Sequence, residues 1–221
     1  MIIFLHGFLG SPDDWNEVRR ELSIPSHAIF LPGHGDQPLD LLSFEKQIPE
    51  GAILVGYSMG GRLAMHFAKK YPGKIKQLFI LSANPGLESG KEKRIEEDQK
   101  WVDLLETEGM ERFLEKWYQQ DLFSSLTLTE ALKKKRMEHN QKKIGKVLKT
   151  FSPAKMENLW PHLQNFSCPT VFLFGENDIK YSSIQGRLEQ NFECITIPKA
   201  SHPIHLEAPK EVAKAIMRRI S

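Results

Sequence analysis

The sequence predicts an α/β fold: a mostly parallel sheet with helices on both faces and a helical cap inserted at about residues 87–160. Three observations predict it. Short apolar runs alternate with amphipathic segments, and Gly, Pro, Asn or Asp follow several of those runs directly. Between Gly86 and Leu163 the strand pattern gives way to highly charged, helix-favouring sequence.

The strands are expected over residues 2–5, 28–31, 53–57, 77–82, 170–175 and 193–197, with loops at their C-terminal ends, where open α/β sheets hold their ligands. After Ser58, the positions Leu63, Ala64, Phe67 and Ala68 recur at helical spacing until Tyr71-Pro72-Gly73 stops the helix. Val212, Ala213, Ile216, Met217 and Ile220 form the apolar stripe of a last helix packed on the sheet. The insertion is electrically polarised: residues 88–121 hold six basic and eleven acidic side chains, and residues 131–155 hold nine basic and one acidic. Its lysine-rich part reads as the solvated face of a helix, since no aromatic residue interleaves the charges from Ala131 to Thr150 as a nucleic-acid surface would require.

The 221 residues, read as a single domain, are long enough to bury roughly 70% of the surface an unfolded chain exposes. With 40% hydrophobic and 26% charged residues and a net charge of +2, the composition is that of a soluble globular protein and argues against a dedicated nucleic-acid binder. A disulfide scaffold is excluded. Cys168 and Cys194 lack metal-ligand spacing and fit a reducing compartment, which makes the cytoplasm the expected location; one structural bridge stays open. The N-terminal MIIFLHGF lacks a basic n-region, and its apolar run is far shorter than the about 20 residues that span a bilayer, so neither export nor a membrane partner is expected. No phosphate loop, dinucleotide fingerprint or metal-ligand cluster is visible, so no cofactor is expected. The partner left by this elimination is a small molecule, and the oligomeric state stays open.

Gly56-Tyr57-Ser58-Met59-Gly60 places G-x-S-x-G between a strand and a helix. A turn this tight leaves no room for side chains at Gly56 and Gly60, and it lifts the Ser58 hydroxyl off the sheet beside the N-H groups that open the helix. Serine is inert near neutral pH without a base, so a carboxylate and a histidine should follow in that order. Asp178, after Gly175-Glu176-Asn177, and His202, after Pro198-Lys199-Ala200-Ser201, fill these places. Glu176 is the rival acid and His205 the rival base; His205 and His66 are expected to pack. The oxyanion site takes one backbone N-H from Met59 and one from Phe8 in the His6-Gly7-Phe8 turn after the first strand.

With HGF, PGHG (32–35), GYSMGG, GEND and SHPIHLE in this order, the chain resembles the α/β-hydrolase superfamily from end to end. Asn84-Pro85-Gly86-Leu87, Trp117-Tyr118-Gln119-Gln120 followed by Phe123, and Arg62 four residues after Ser58 resemble the 2-succinyl-6-hydroxy-2,4-cyclohexadiene-1-carboxylate synthase family of menaquinone biosynthesis. That resemblance implies a lyase that eliminates pyruvate from a polycarboxylate ring, with the serine, histidine and aspartate acting as a base. It also implies substrate contacts from Arg62, Arg94 and Arg136, an aromatic wall from Trp117, and a hydroxyl from Tyr57. Four residues of helix turn through about 400°, which sets Arg62 above Ser58 on nearly the same face. The chain opens directly on the HGF strand, so the sheet is expected to be truncated at one edge. The segment 36–50 is short for the usual helix before the elbow strand, and Ser201 stands where glycine commonly precedes the histidine. A carboxylesterase or thioesterase using Ser58 as a nucleophile is the competing reading. A silent binding member of the fold would normally have lost one of the three residues.

Overall fold

The computed structural model describes residues 1–220. Six strands, β1 (Ile2–Leu5), β2 (Ser26–Ile29), β3 (Ala52–Tyr57), β4 (Ile75–Leu81), β5 (Thr170–Gly175) and β6 (Glu193–Ile197), form one sheet in the order β2-β1-β3-β4-β5-β6. Every neighbouring pair is parallel. Because side chains alternate across a strand, Leu5, Leu54, Ile80 and Phe172 enter the layer on one face, and Phe4, Val55, Phe79 and Leu173 the layer on the other. Both faces are therefore apolar, which is why the central strands read as continuous hydrophobic runs. Each large side chain taken out of water stabilises the fold by roughly 1.5–3 kcal/mol.

The helices of the body and cap follow in chain order: α1 (Asn16–Arg20), α2 (Leu41–Glu45), α3 (Met59–Lys70), α4 (Lys91–Tyr118), α5 (Glu130–Met137), α6 (Gln141–Thr150), α7 (Ile179–Leu188), α8 (Ile204–Glu207) and α9 (Pro209–Met217). Leu63, Ala64, Phe67 and Ala68 of α3 pack on the first layer, and Val18 of α1 with Val212 and Ile216 of α9 on the second. The short α2, capped by Asp40 accepting from the Ser43 N-H at 2.8 Å, is the brief helix its segment allows.

Between β4 and β5 the chain builds the cap. Val102, Leu105, Phe113 and Leu114 of α4 pack with Ile144 and Leu148 of α6, and Leu9 of the body is buried in the same cluster. Asn140 caps α6 by accepting from the Lys143 N-H at 3.1 Å. Gly109, with φ of 78°, breaks α4 into two helical stretches. The opposite charges of the insertion meet one another: Lys133 lies 2.6 Å from Glu111 and 3.3 Å from Glu115. Lys142 and Lys146 are exposed, as a solvated face requires.

Three strands depart from their expected bounds, β3 by a single residue, since it starts at Ala52. β2 lies two residues earlier than residues 28–31, because the Leu31 N-H leaves the ladder and donates to His6 Nε2 at 3.1 Å. β4 starts at Ile75, which pairs with Ala52 across a register irregularity. Among the described residues no helix is long and apolar enough to cross a membrane.

Candidate active site

The site lies at the C-terminal ends of β1, β3, β5 and β6. Ser58 sits between β3 and α3 with φ of 49°, a left-handed conformation that costs a non-glycine residue about 1–3 kcal/mol. It is held there because the Ser58 N-H donates to Leu81 O at 2.9 Å, and its carbonyl accepts from the Arg62 N-H at 3.0 Å as the first bond of α3. A Cβ on Gly60 would stand 2.4 Å from His6 O, so only glycine lets α3 start against the loop after β1.

Ser58 Oγ donates toward His202 Nε2 at 3.3 Å, and His202 Nδ1 donates to Asp178 Oδ2 at 2.8 Å. The two loops that carry the acid and the histidine are tied by the Asn177 N-H donating to Ala200 O at 2.8 Å. The Tyr181 and Tyr57 rings pack on the imidazole at 4.7 and 5.3 Å between centroids. His202 and Asp178 are both buried. Burial pushes the His202 pKa below the ordinary histidine value, and the Asp178 hydrogen bond opposes that shift. A neutral imidazole with a free Nε2 lone pair results, the form a base needs near neutral pH. Glu176 is exposed and accepts from the Lys199 N-H at 2.8 Å, outside this line. His205 packs between Trp15 and Tyr57, at 4.6 and 4.3 Å. Half-buried His66 faces a separate groove with Lys69 and Lys155. Ser201, in place of the usual glycine, donates its N-H to Glu207 at 2.6 Å and its hydroxyl to the same carboxylate at 2.7 Å.

Phe8 and Met59 flank the serine. Met59 opens α3, where the first-turn N-H groups have no helical acceptor. Gly7 lets the preceding loop approach: a Cβ there would fall 2.6 Å from the Tyr57 ring and 3.6 Å from Ser58 Cβ.

Two cavities meet at Ser58. The first is bounded by Arg62, Arg94, Trp101, Trp117 and Tyr181, and the second by Tyr57, Tyr118, Arg136, His202 and His205. The three arginines differ in their partners. Arg62 is 8% exposed; its Nη2 donates to Phe151 O at 3.3 Å, and its Nε has no partner. Burial lowers its pKa to about 10, so it stays cationic at neutral pH. Arg94 Nε donates to Asp98 Oδ1 at 2.9 Å, one turn further along α4. Arg136 forms a bidentate pair with Asp14 at 3.0 and 2.8 Å and donates to Tyr118 Oη at 3.0 Å. Burial works against the Arg136 charge, but Tyr118 and Asp14 outweigh it and raise its pKa. Of the three arginines, Arg62 is thus the one without a carboxylate of its own among the described residues; Lys180, also on the first cavity, is exposed. Trp117 packs edge-on against Phe8 and Trp101, each at 5.0 Å, and lines both cavities.

The sequence reading missed Tyr181, Lys180, Asp98 and Asp14. Lys180 and Tyr181 follow Asp178 closely enough that the acid loop itself was the signal. Asp14 is 122 residues from Arg136, and nothing local announces the pair. Among the described residues no group of three or more His, Cys, Asp or Glu side chains could hold a metal ion.

A parallel sheet with a strained serine after its third strand and an acid and a histidine after its last two defines the α/β-hydrolase class, and the profile of the alpha/beta hydrolase family matches residues 2–215. The chain is 35% identical over 224 residues to the 2-succinyl-6-hydroxy-2,4-cyclohexadiene-1-carboxylate synthase of Photorhabdus laumondii, covering 92% of this chain and 79% of that protein. It is 32% identical over 232 residues to the synthase of the same name from Enterobacter sp. (strain 638), covering 97% and 89%. The solved structure of MenH from S. aureus superposes with a TM-score of 0.87 at 28% identity, covering 98% of this chain and 91% of that one. The chain belongs to the alpha/beta hydrolase family and, within it, to the family of these synthases, and it is an enzyme of that kind.

Proposed function

We propose that the protein eliminates pyruvate from 2-succinyl-5-enolpyruvyl-6-hydroxy-3-cyclohexene-1-carboxylate to give 2-succinyl-6-hydroxy-2,4-cyclohexadiene-1-carboxylate, a cytoplasmic step of menaquinone biosynthesis. The observation that carries the choice of substrate is the buried Arg62, a cation beside Ser58 with one carbonyl as partner and a free Nε. A buried cation left so incompletely paired favours an anionic ligand. The substrate carries three carboxylates. Arg62 is their anchor in this reading, Arg94 and Arg136 share their charge between a substrate carboxylate and their own Asp partners, Trp117 walls the ring, and Tyr57 offers a hydroxyl.

In the reaction, the Ser58–His202–Asp178 line takes the proton from the ring carbon that bears the succinyl group. The electron pair moves into the succinyl carbonyl, and the Phe8 and Met59 N-H groups stabilise the oxygen that becomes negative. As the enolate collapses, the ring double bond shifts from position 3 to position 2, a second forms at position 4, and the bond to the enolpyruvyl oxygen breaks. The departing enolpyruvate takes a proton on carbon and becomes pyruvate. No water is consumed and no acyl-enzyme forms, so Ser58 works through its hydroxyl proton rather than as a nucleophile.

The test is pyruvate release, followed with a coupled dehydrogenase, from the purified protein and the elimination substrate. Catalytic release, abolished in His202→Ala, is the expected result. Rapid hydrolysis of simple aryl esters with no pyruvate from the ring substrate would assign the site to a carboxylesterase or thioesterase instead.

A further inference from the structure

The loop that carries Phe8 is braced by three histidines from three parts of the chain. His6 Nδ1 donates to Gly7 O at 2.7 Å, and the Gly10 N-H donates to the same oxygen at 3.0 Å. In a trans peptide the N-H points opposite to the C=O, so holding Gly7 O fixes the direction of the Phe8 N-H. The next residue, Leu9, is left-handed with φ of 63° and would relax if released. Its N-H donates to His34 Nε2 at 3.2 Å, and His34 Nδ1 donates to Pro32 O at 3.1 Å, which sets the tautomer that leaves Nε2 as acceptor. Its carbonyl accepts from His139 Nε2 at 2.9 Å. The imidazole rings pack in series, His6 on His34 at 4.8 Å and His34 on His139 at 5.3 Å. His6 and His34 belong to the body. His139 follows α5 in the cap, 130 residues from Leu9, and the Leu9 side chain is itself buried in the cap's core.

We infer that His139 is a positioning residue through which the docked cap holds the Phe8 N-H in place for the oxyanion of the reaction. His139 contacts neither the serine nor either cavity beside it; it acts on the backbone one residue beyond the donor. The inference rests on the reading that Phe8 supplies an oxyanion N-H. It makes the cap part of the catalytic geometry as well as the wall of the binding site. A cap that lifts removes the third brace, and the left-handed Leu9 is then free to turn the loop.

Two substitutions separate the hydrogen bond from packing. His139→Gln sets an amide N-H near the position of Nε2 and keeps the donor to Leu9 O, whereas His139→Leu fills the space without a donor. Loss of a whole oxyanion donor costs about 10²–10³ in turnover, so misaiming one should lower kcat by about tenfold or more in His139→Leu, with KM changed less than about twofold. His139→Gln should stay within about threefold of the wild type on both parameters. Backbone amide exchange at Phe8 to Gly10 gives a readout free of activity, expected to quicken by about tenfold in His139→Leu and to stay unchanged in His139→Gln. If His139→Leu does not fold, His139→Asn takes its place, since its shorter amide does not reach Leu9 O. Equal losses in the donor-less and Gln variants, a change confined to KM or thermal midpoint, or unchanged exchange would overturn the inference. Failure of the wild-type protein to release pyruvate would instead remove the proposed reaction, and the exchange experiment would still decide the role of His139.

Discussion

Replacing Arg62 by Met removes the buried cation of the first cavity, which has no carboxylate partner among the described residues, while keeping most of the side chain's volume. In the free protein its guanidinium makes one hydrogen bond, to Phe151 O, and its Nε makes none. A substrate carboxylate would therefore gain bonds that the protein does not already satisfy. Hydrogen bonds to charged groups are worth about 1.5–3 kcal/mol each, and because both partners are desolvated here the upper figure applies, about 3 kcal/mol or two powers of ten in kcat/KM. Arg62→Lys keeps the charge but loses the planar fork, and should fall between, about tenfold below the wild type. The assay is pyruvate release from the tricarboxylate, with the rate at which a neutral phosphonate modifies Ser58 as control. That control should change by less than about threefold, because the triad geometry does not depend on Arg62. Thermal stability should hold or rise in Arg62→Met, since a buried and incompletely paired cation is removed. An equal loss in both rates, or a loss of less than about threefold on the tricarboxylate, would show that Arg62 shapes the helix rather than binding the substrate.

The pH dependence follows from the buried histidines. Because burial lowers the His202 pKa and the Asp178 bond opposes it, kcat/KM for elimination should show its acid limb below pH 6.5, and Asp178→Asn should lower the rate by about 10³ at pH 7.5; a limb above neutrality would contradict this. Stability should also fail in acid. His6 and His205 have pKa values lowered to about 3, and His34 is lowered well below 6.5, all chiefly by burial. Below pH 6.5 the unfolded chain binds protons at these sites that the folded protein refuses, so stability falls as pH falls. At about 1.4 kcal/mol per histidine per unit, His6 and His205 together should cost about 3 kcal/mol between pH 7.5 and 5.5, and His34 adds in the same direction. Urea midpoints at the two pH values test this, and equal midpoints would refute it.

Sequence patterns located the sheet well wherever the local signal and the tertiary packing agreed. β5 and β6 were read with their observed ends because Pro169, Gly175 and Pro198 punctuate runs that pack on both faces. β2 was misplaced because it is an edge strand whose register is set by pairing with β1, and because the apolar Phe30 and Leu31 lie beyond that pairing. The Ser58, Asp178 and His202 positions were legible for a mechanical reason: each follows a strand at the same sheet edge, and the elbow's glycines mark the first of them. Arg62 was singled out by the resemblance to the synthase family, and helix geometry set it over Ser58. The Asp14–Arg136 pair and the three-histidine brace were not legible, because they join the body to the cap across more than a hundred residues, and no local periodicity encodes which polar groups will meet in a buried interface. The resemblance to the synthase family pointed to Arg136 but not to the carboxylate that holds it.

Ser58 and His202 acting together as a base is the claim on which the proposed elimination turns. Its most direct test is the intact mass of the protein, quenched during turnover of the tricarboxylate while pyruvate accumulates. Unmodified protein at every time point, with release abolished in Ser58→Ala, is the expected result. An acyl adduct on Ser58 that forms and decays at the rate of turnover would contradict the account and make the serine a nucleophile.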